Sequence, residues 1–278
     1  MSEQYRQFPE FYVTAPQACP YLDDRFERKL FTHLTPDKPP SLIDGLLRSG
    51  FRRSQNIAYM PYCDGCNACV SVRLIVDEFE PTRSMRRVLQ RNGDLVATRV
   101  PAKATLEQYE LFRTYIGARH GDGGMADMTA VDYASMIEDS IIDTSLTEFR
   151  VRPADADPML RKAPQGESWP LIAVALTDRL SDGISMAYSF FNPAEADRSL
   201  GTYMILEHAD QVRALGLKYL YLGYQIAGSR KMAYKARFQP LEKLSSTGWF
   251  RQQQDLQVAH TAAEMPVSTA RVDAFIRD

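Results

Sequence analysis

A chain of 278 residues, 45% of them hydrophobic and 24% charged, has a globular composition and enough length for one large or two small domains. A formal net charge of −2 gives no whole-molecule attraction to polyanions, so any nucleic-acid contact must come from a local basic face. The opening MSEQYRQFPEFYVTAPQ lacks a basic segment followed by an apolar run, and no stretch approaches the roughly 20 apolar residues of a membrane span; both predict a soluble, cytoplasmic protein without a membrane partner.

Phe11 to Thr14 reads as extended, and the prolines at 36, 39 and 40 break the chain before a helix that starts near Ser41. Leu42, Leu46 and Leu47 recur at helical spacing, and Gly50 stands where that helix stops. Strands at Phe51 to Tyr59 and Val70 to Val76 flank a cysteine loop. Ser84 is the expected cap of a short helix with Met85, Val88 and Leu89 inward, leaving Arg86, Arg87 and Arg91, with Arg83, as a basic face. Thr105 and Gln108 fit a capping box, and Tyr109, Phe112 and Ile116 continue that helix's buried stripe up to the run of Gly121, Gly123 and Gly124. Tyr133, Met136, Ile137 and Ile141 mark another helix. Strands follow at Glu148 to Arg152, Leu171 to Thr177 and Ile184 to Phe191, then a helix from about Gly201 to Leu215 and a buried strand at Tyr219 to Gly223. The pattern predicts a mixed α/β or α+β sheet, with a cysteine-bearing region at 1–100, a second region at 101–252 and a polar tail at 253–278.

Four segments carry chemistry. Arg198-Ser-Leu-Gly201-Thr-Tyr203 partly matches the turn with which GNAT acetyltransferases hold the pyrophosphate of acyl-CoA, but Tyr203 fills the last small position and should obstruct it. Cys63, Cys66 and Cys69, with Cys19 as a remote fourth, could supply thiolates to zinc or to an iron-sulfur cluster, or could simply pack beside a turn. Arg119-His120-Gly-Asp122 offers a cation, an imidazole and a carboxylate, either for a charged substrate or as a solvated helix end. Gly223 to Pro240 interleaves Arg230, Lys231, Lys235 and Arg237 with aromatics, a mixture that suits phosphates and exposed bases as well as a plain basic loop.

The ordered blocks CPYLDDRFERKLFTHL, GFRRSQNIAYMPYCDGCNACVSVR, RSMRRVLQRN, ARHGDGGMADM, LIAVALTDRLSDGISMAYSFF, RSLGTYMILEH and YLYLGYQIAGSRKMAYKARFQPLE resemble the bacterial leucyl-tRNA-protein transferases, a branch of the arginyl-tRNA-protein transferase family. The resemblance runs from about Phe11 to Phe250. It implies a GNAT-like acyltransferase fold and transfer of leucine from leucyl-tRNA to proteins beginning with Asp or Glu, which then pass to the N-end rule degradation machinery. Eukaryotic relatives transfer arginine. An arginyl donor, an acyl-CoA-dependent GNAT acyltransferase and a non-catalytic module binding acidic N-termini are the alternatives.

Aminoacyl esters are already activated, so the implied chemistry requires no cofactor, and a metal on the cysteines would be structural or regulatory. For proton transfer the candidates are Asp122 and Tyr188. An acceptor carboxylate needs a cation, for which Arg73, Arg119 and Lys231 are candidates. Met125, Phe190 and Met232 are candidate walls for the leucine side chain, and Arg83, Arg86, Arg87, Lys235 and Arg237 for the acceptor-stem phosphates.

Overall fold

The computed structural model describes residues 9–119, 121, 124–229 and 232–251; Asp122, Lys231 and the tail at 253–278 therefore lie outside the described residues. The chain begins with short strands β1 (Tyr12–Val13), β2 (Gln17–Ala18), β3 (Phe26–Glu27) and β4 (Lys29–His33). Helix α1 (Pro40–Arg48) opens on a proline, whose missing N–H would be unpaired at that position anyway. It closes as expected at Gly50, which takes a φ of 93° while the Phe51 amide donates to the Leu46 carbonyl at 3.2 Å. Strands β5 (Arg52–Ser54) and β6 (Ile57–Pro61) then complete a four-stranded sheet of order β1-β4-β6-β5.

The main sheet starts at β7 (Cys69–Ile75), followed by α2 (Arg83–Arg91), β8 (Leu95–Pro101), α3 (Leu106–Arg119) and α4 (Ala130–Glu138). Then come β9 (Thr144–Val151), β10 (Leu171–Arg179), β11 (Gly183–Phe191), α5 (Leu200–Ala214), β12 (Tyr219–Ile226), β13 (Leu241–Ser245) and β14 (Gly248–Arg251). Its order is β14-β13-β7-β12-β11-β10-β9-β8. Every neighbouring pair is antiparallel except β11 and β12, which run parallel because α5 carries the chain back across the sheet. This is the mixed α/β sheet that the element pattern predicts. The boundary expected near residue 100 does not interrupt it, since β7 and β8 belong to the same eight strands as the later elements.

Capping agrees at one helix and differs at another. Thr105 and Gln108 do form a reciprocal box at the start of α3, at 3.1 and 3.3 Å. At α2 the cap is Thr82, whose hydroxyl accepts from the Met85 amide at 3.3 Å, while the Ser84 hydroxyl lies by Thr82 and Arg237. β12 also runs three residues beyond its expected end at Gly223, which makes the start of the Gly223 to Pro240 segment part of the sheet.

Alternation along the central strands sorts the core into two faces. Ala173 and Ala175 of β10 join α2 and α5 on one side, while Val174 and Leu176 meet Phe112, Ile116, Tyr133 and Ile137 of α3 and α4 on the other. A third cluster seats α1 and the small sheet through Leu46, Leu47, Phe51 and Ala58 against Leu180 and Tyr221. Within α5, His208 is wholly buried, with Nδ1 2.6 Å from the Met204 carbonyl and the ring 6.2 Å from Phe149. Burial pulls its pKa down to about 4. An unfolded chain takes up this proton below about pH 6.5 and the folded one does not, so this stability is lost as the pH falls from there towards 4, by roughly 3 kcal/mol. Urea midpoints measured across that range are expected to decline, and H208L to flatten the decline.

Candidate active site

The parallel pairing of β11 and β12 covers only Gly183 to Ser185 against Tyr219 to Tyr221. Beyond it each strand carries an extra residue: the β10 register skips Ala187 of β11, and the β7 register skips Leu222 of β12. Such bulges bend a strand and re-aim its groups, and here they accompany the opening of the sheet centre. The backbone groups facing the gap have no strand partner, so something else must satisfy them.

Two side chains do so. Arg52, on the edge strand of the small sheet, donates through Nη2 to the carbonyls of Met186 and Ala187 at 2.8 and 2.7 Å. Its guanidinium lies flat against Gly223 of β12, where a side-chain Cβ would come within 2.7 Å of Cζ. Gly223 also has a φ of 74°, so it is required on both counts. Alanine there is expected to cost about 1 to 2 kcal/mol in urea unfolding. On the β12 side of the gap, Lys235 donates from Nζ to the Tyr224 carbonyl at 2.8 Å. It sits in a short 3-10 turn at Ala233–Arg237.

Lys235 corrects one sequence expectation. It is only 8% exposed, which removes it from the surface offered to acceptor-stem phosphates. Burial, reinforced by the Arg52 charge, brings its pKa down to about 7, so much of it is a neutral amine with a free lone pair at physiological pH. Several tyrosines surround the gap. Burial first, then neighbouring tyrosines, pushes the Tyr188 hydroxyl up; burial also raises Tyr115 and brings Tyr21 to about 12. These phenols remain protonated donors, which argues against Tyr188 as a proton acceptor.

The other predicted residues fall in several places. Arg73 is paired with Glu242 at 2.7 Å and stacked 3.5 Å over Tyr219 and 4.3 Å over Trp249. Its charge is thus already used inside the fold, which removes it from acceptor binding. Arg119 is exposed, 5.3 Å over the Phe191 ring. Phe190 is fully buried between β11 and α3, so it is core and cannot line an open leucine recess. Met125 and Met232 are both half-buried, and Met125 packs at the edge of the same cluster. Arg83, Arg86 and Arg87 are exposed on α2, and Arg237 joins them through a 3.4 Å hydrogen bond to Ser84.

Cys19, Cys63, Cys66 and Cys69 line one cavity of about 120 Å³, with Tyr21, Tyr59 and Tyr224 on its wall towards β12. All four are free thiols. Burial, then the other three sulfurs, pushes the Cys69 thiol up to about 12. Among the described residues no group of three or more His, Cys, Asp or Glu side chains is placed to hold a metal ion, so convergence of the cysteines on one cavity is all the geometry supplies. The Arg198 turn is closed to a pyrophosphate: Arg198 is held by Asp94 at 2.8 and 3.0 Å, and Tyr203 is buried against Phe149.

Sequence reading missed Arg52 and its neighbour Arg53. Arg53 forms a fork on Asp178 of β10 at 2.8 and 2.7 Å, with both side chains 1% exposed. The available signal was two consecutive cations inside a strand otherwise flanked by Phe51 and Ile57.

The models for the N terminus and the C terminus of arginine-tRNA-protein transferase match residues 17–87 and 107–245. An aspartate/glutamate leucyltransferase of Nitrobacter hamburgensis is 56% identical over 90% of this chain and 95% of its own. One from Parvibaculum lavamentivorans is 56% identical over 90% of this chain and 98% of its own. Among solved structures FemX covers 73% of this chain and 64% of its own at 11% identity with a TM-score of 0.43, too slight a likeness to carry an argument. With both halves of the family matched around a sheet that opens at its centre, the chain belongs to the arginine-tRNA-protein transferase family.

Proposed function

We propose that this protein is an aspartate/glutamate leucyltransferase, which moves leucine from leucyl-tRNA to the α-amine of proteins beginning with Asp or Glu, in the gap between β11 and β12. The product, with leucine at its N-terminus, would pass in the cytoplasm to the N-end rule degradation machinery. The observation that carries the site is the neutral-prone Lys235 amine in that gap, held by the Tyr224 carbonyl and facing the charge of Arg52 without a carboxylate among the described residues. The high identity to leucyltransferases across most of the chain supports the choice of leucine.

In this reading Lys235 accepts a proton from the acceptor's α-ammonium. The freed amine attacks the ester carbonyl, a C–N bond forms as the C–O bond to the ribose breaks, and the ribose hydroxyl leaves with a proton from the attacking nitrogen. A free α-amine has a pKa of about 7.7 to 8.0, so a base near 7 is well matched to it. Tyrosine hydroxyls around the gap remain protonated and suit the developing oxyanion.

The tRNA acceptor stem is assigned to the exposed face of Arg83, Arg86, Arg87 and Arg237. R86E/R87E is expected to weaken tRNA binding and lower the slope of log affinity against log salt by about 1.5. Unchanged affinity and slope in a salt titration would remove this face from the footprint. The donor is tested by offering leucyl-tRNA, arginyl-tRNA and acetyl-CoA together to a peptide beginning with Asp. Leucine on the product is expected; arginine or acetyl in its place overturns the reading.

A further inference from the structure

Buried arginines in this protein come with carboxylates. Arg53 is locked to Asp178 and Arg73 to Glu242. Arg52, half-buried as a whole, differs: among the described residues it forms no ion pair, and its Nη1 is buried with no hydrogen-bond partner. A buried guanidinium nitrogen left unpaired is costly and asks for a reason. Flexibility does not supply one, because Nη2 is tied to two β11 carbonyls and the plane of the group rests on Gly223. The charge is therefore held between β11 and β12, near enough to the Lys235 amine to act on it.

We infer that Arg52 is the residue that recognises the acceptor's acidic first side chain, its Nη1 donating to the Asp or Glu carboxylate. This deepens the leucyltransferase reading and rests on it. Among the described residues the competing candidates differ: Arg73 is neutralised within the fold, Arg119 lies exposed over Phe191, and Lys235 is the amine that takes the proton. A carboxylate brings both an acceptor for Nη1 and the missing negative charge. An Asn or Gln side chain supplies an acceptor only and leaves the buried charge uncompensated, so amide N-termini are rejected by that difference. The same placement sets the α-amine of a bound acceptor close to Lys235, on the other side of the gap.

The test is the ratio of kcat/KM for leucine transfer to two peptides that differ only in beginning with Asp or Asn. R52Q is expected to lower the value for the Asp peptide roughly 10- to 100-fold more than the value for the Asn peptide, so that the preference collapses. R52K keeps the charge without the fork and is expected to retain part of the preference. An equal fall for both peptides in R52Q would assign Arg52 to holding the strands or to the oxyanion, and an unchanged ratio would assign recognition elsewhere; either overturns the inference. If R52Q does not fold, the ratio is read in R52M, which also removes the charge, and a value equal to wild type has the same meaning. Failure of the wild-type protein to transfer leucine at all would instead overturn the leucyltransferase reading.

Discussion

K235M is expected to lower kcat for leucine transfer by about 10²- to 10⁴-fold, the range for losing a positioned proton acceptor. The wild-type kcat/KM should rise with pH through about 7, as Lys235 of the free enzyme gives up its proton, and K235M should lose that limb. The direction follows from the physical cause: burial, then the Arg52 charge, disfavours the ammonium, so the reactive neutral form gains as pH rises. K235R separates chemistry from architecture, because it can still donate to the Tyr224 carbonyl but cannot deprotonate near neutrality. Low activity in both variants, with normal folding, fits the assignment. A K235R that keeps the wild-type kcat and pH profile would make Lys235 a purely structural bridge.

D178A is expected to destabilise the protein by about 3 to 5 kcal/mol, because it strands the Arg53 guanidinium where its side chain is only 1% exposed. Asp178 accepts two bonds from Arg53 and a third from the Thr144 hydroxyl at 2.7 Å, so three donors lose their acceptor together. The pair ties the small sheet to β10, and Arg52 is the preceding residue on the same strand. Loosening this anchor should therefore also weaken the placement of Arg52 in the gap. Thermal unfolding is expected to show a fall of roughly 10 °C. R53M/D178L, which removes both charges, should recover much of the loss, whereas equal instability of single and double variants would argue that packing alone sets the cost.

Much of the architecture is legible in local pattern. The Leu42, Leu46 and Leu47 stripe, Gly50, the Thr105–Gln108 box and the apolar runs of β10 and β11 all act within a few residues, and the structure realises each one. The site is less legible because it is made by contacts distant in sequence. Arg52 reaches Gly223, and Lys235 the adjoining Tyr224 carbonyl, only after α5 has set β12 parallel to β11, and nothing local distinguishes Lys235 from the exposed Arg237 two residues later. Equating charge with exposure fails where a cation replaces missing strand hydrogen bonds. Arg73 misled for a related reason: a cation among aromatics resembles a binding group until its partner Glu242, on β13, is seen beside it. Tyr203, by contrast, was readable as an obstruction, since its size alone is at odds with a pyrophosphate turn.

The most direct measurement is mass spectrometry of a peptide beginning with Asp after incubation with the purified protein and leucyl-tRNA, alongside the matching peptide beginning with Asn. The account predicts one leucine on the α-amine of the Asp peptide and little or none on the Asn peptide. No leucine on either peptide, from a folded protein that binds the tRNA, would contradict it.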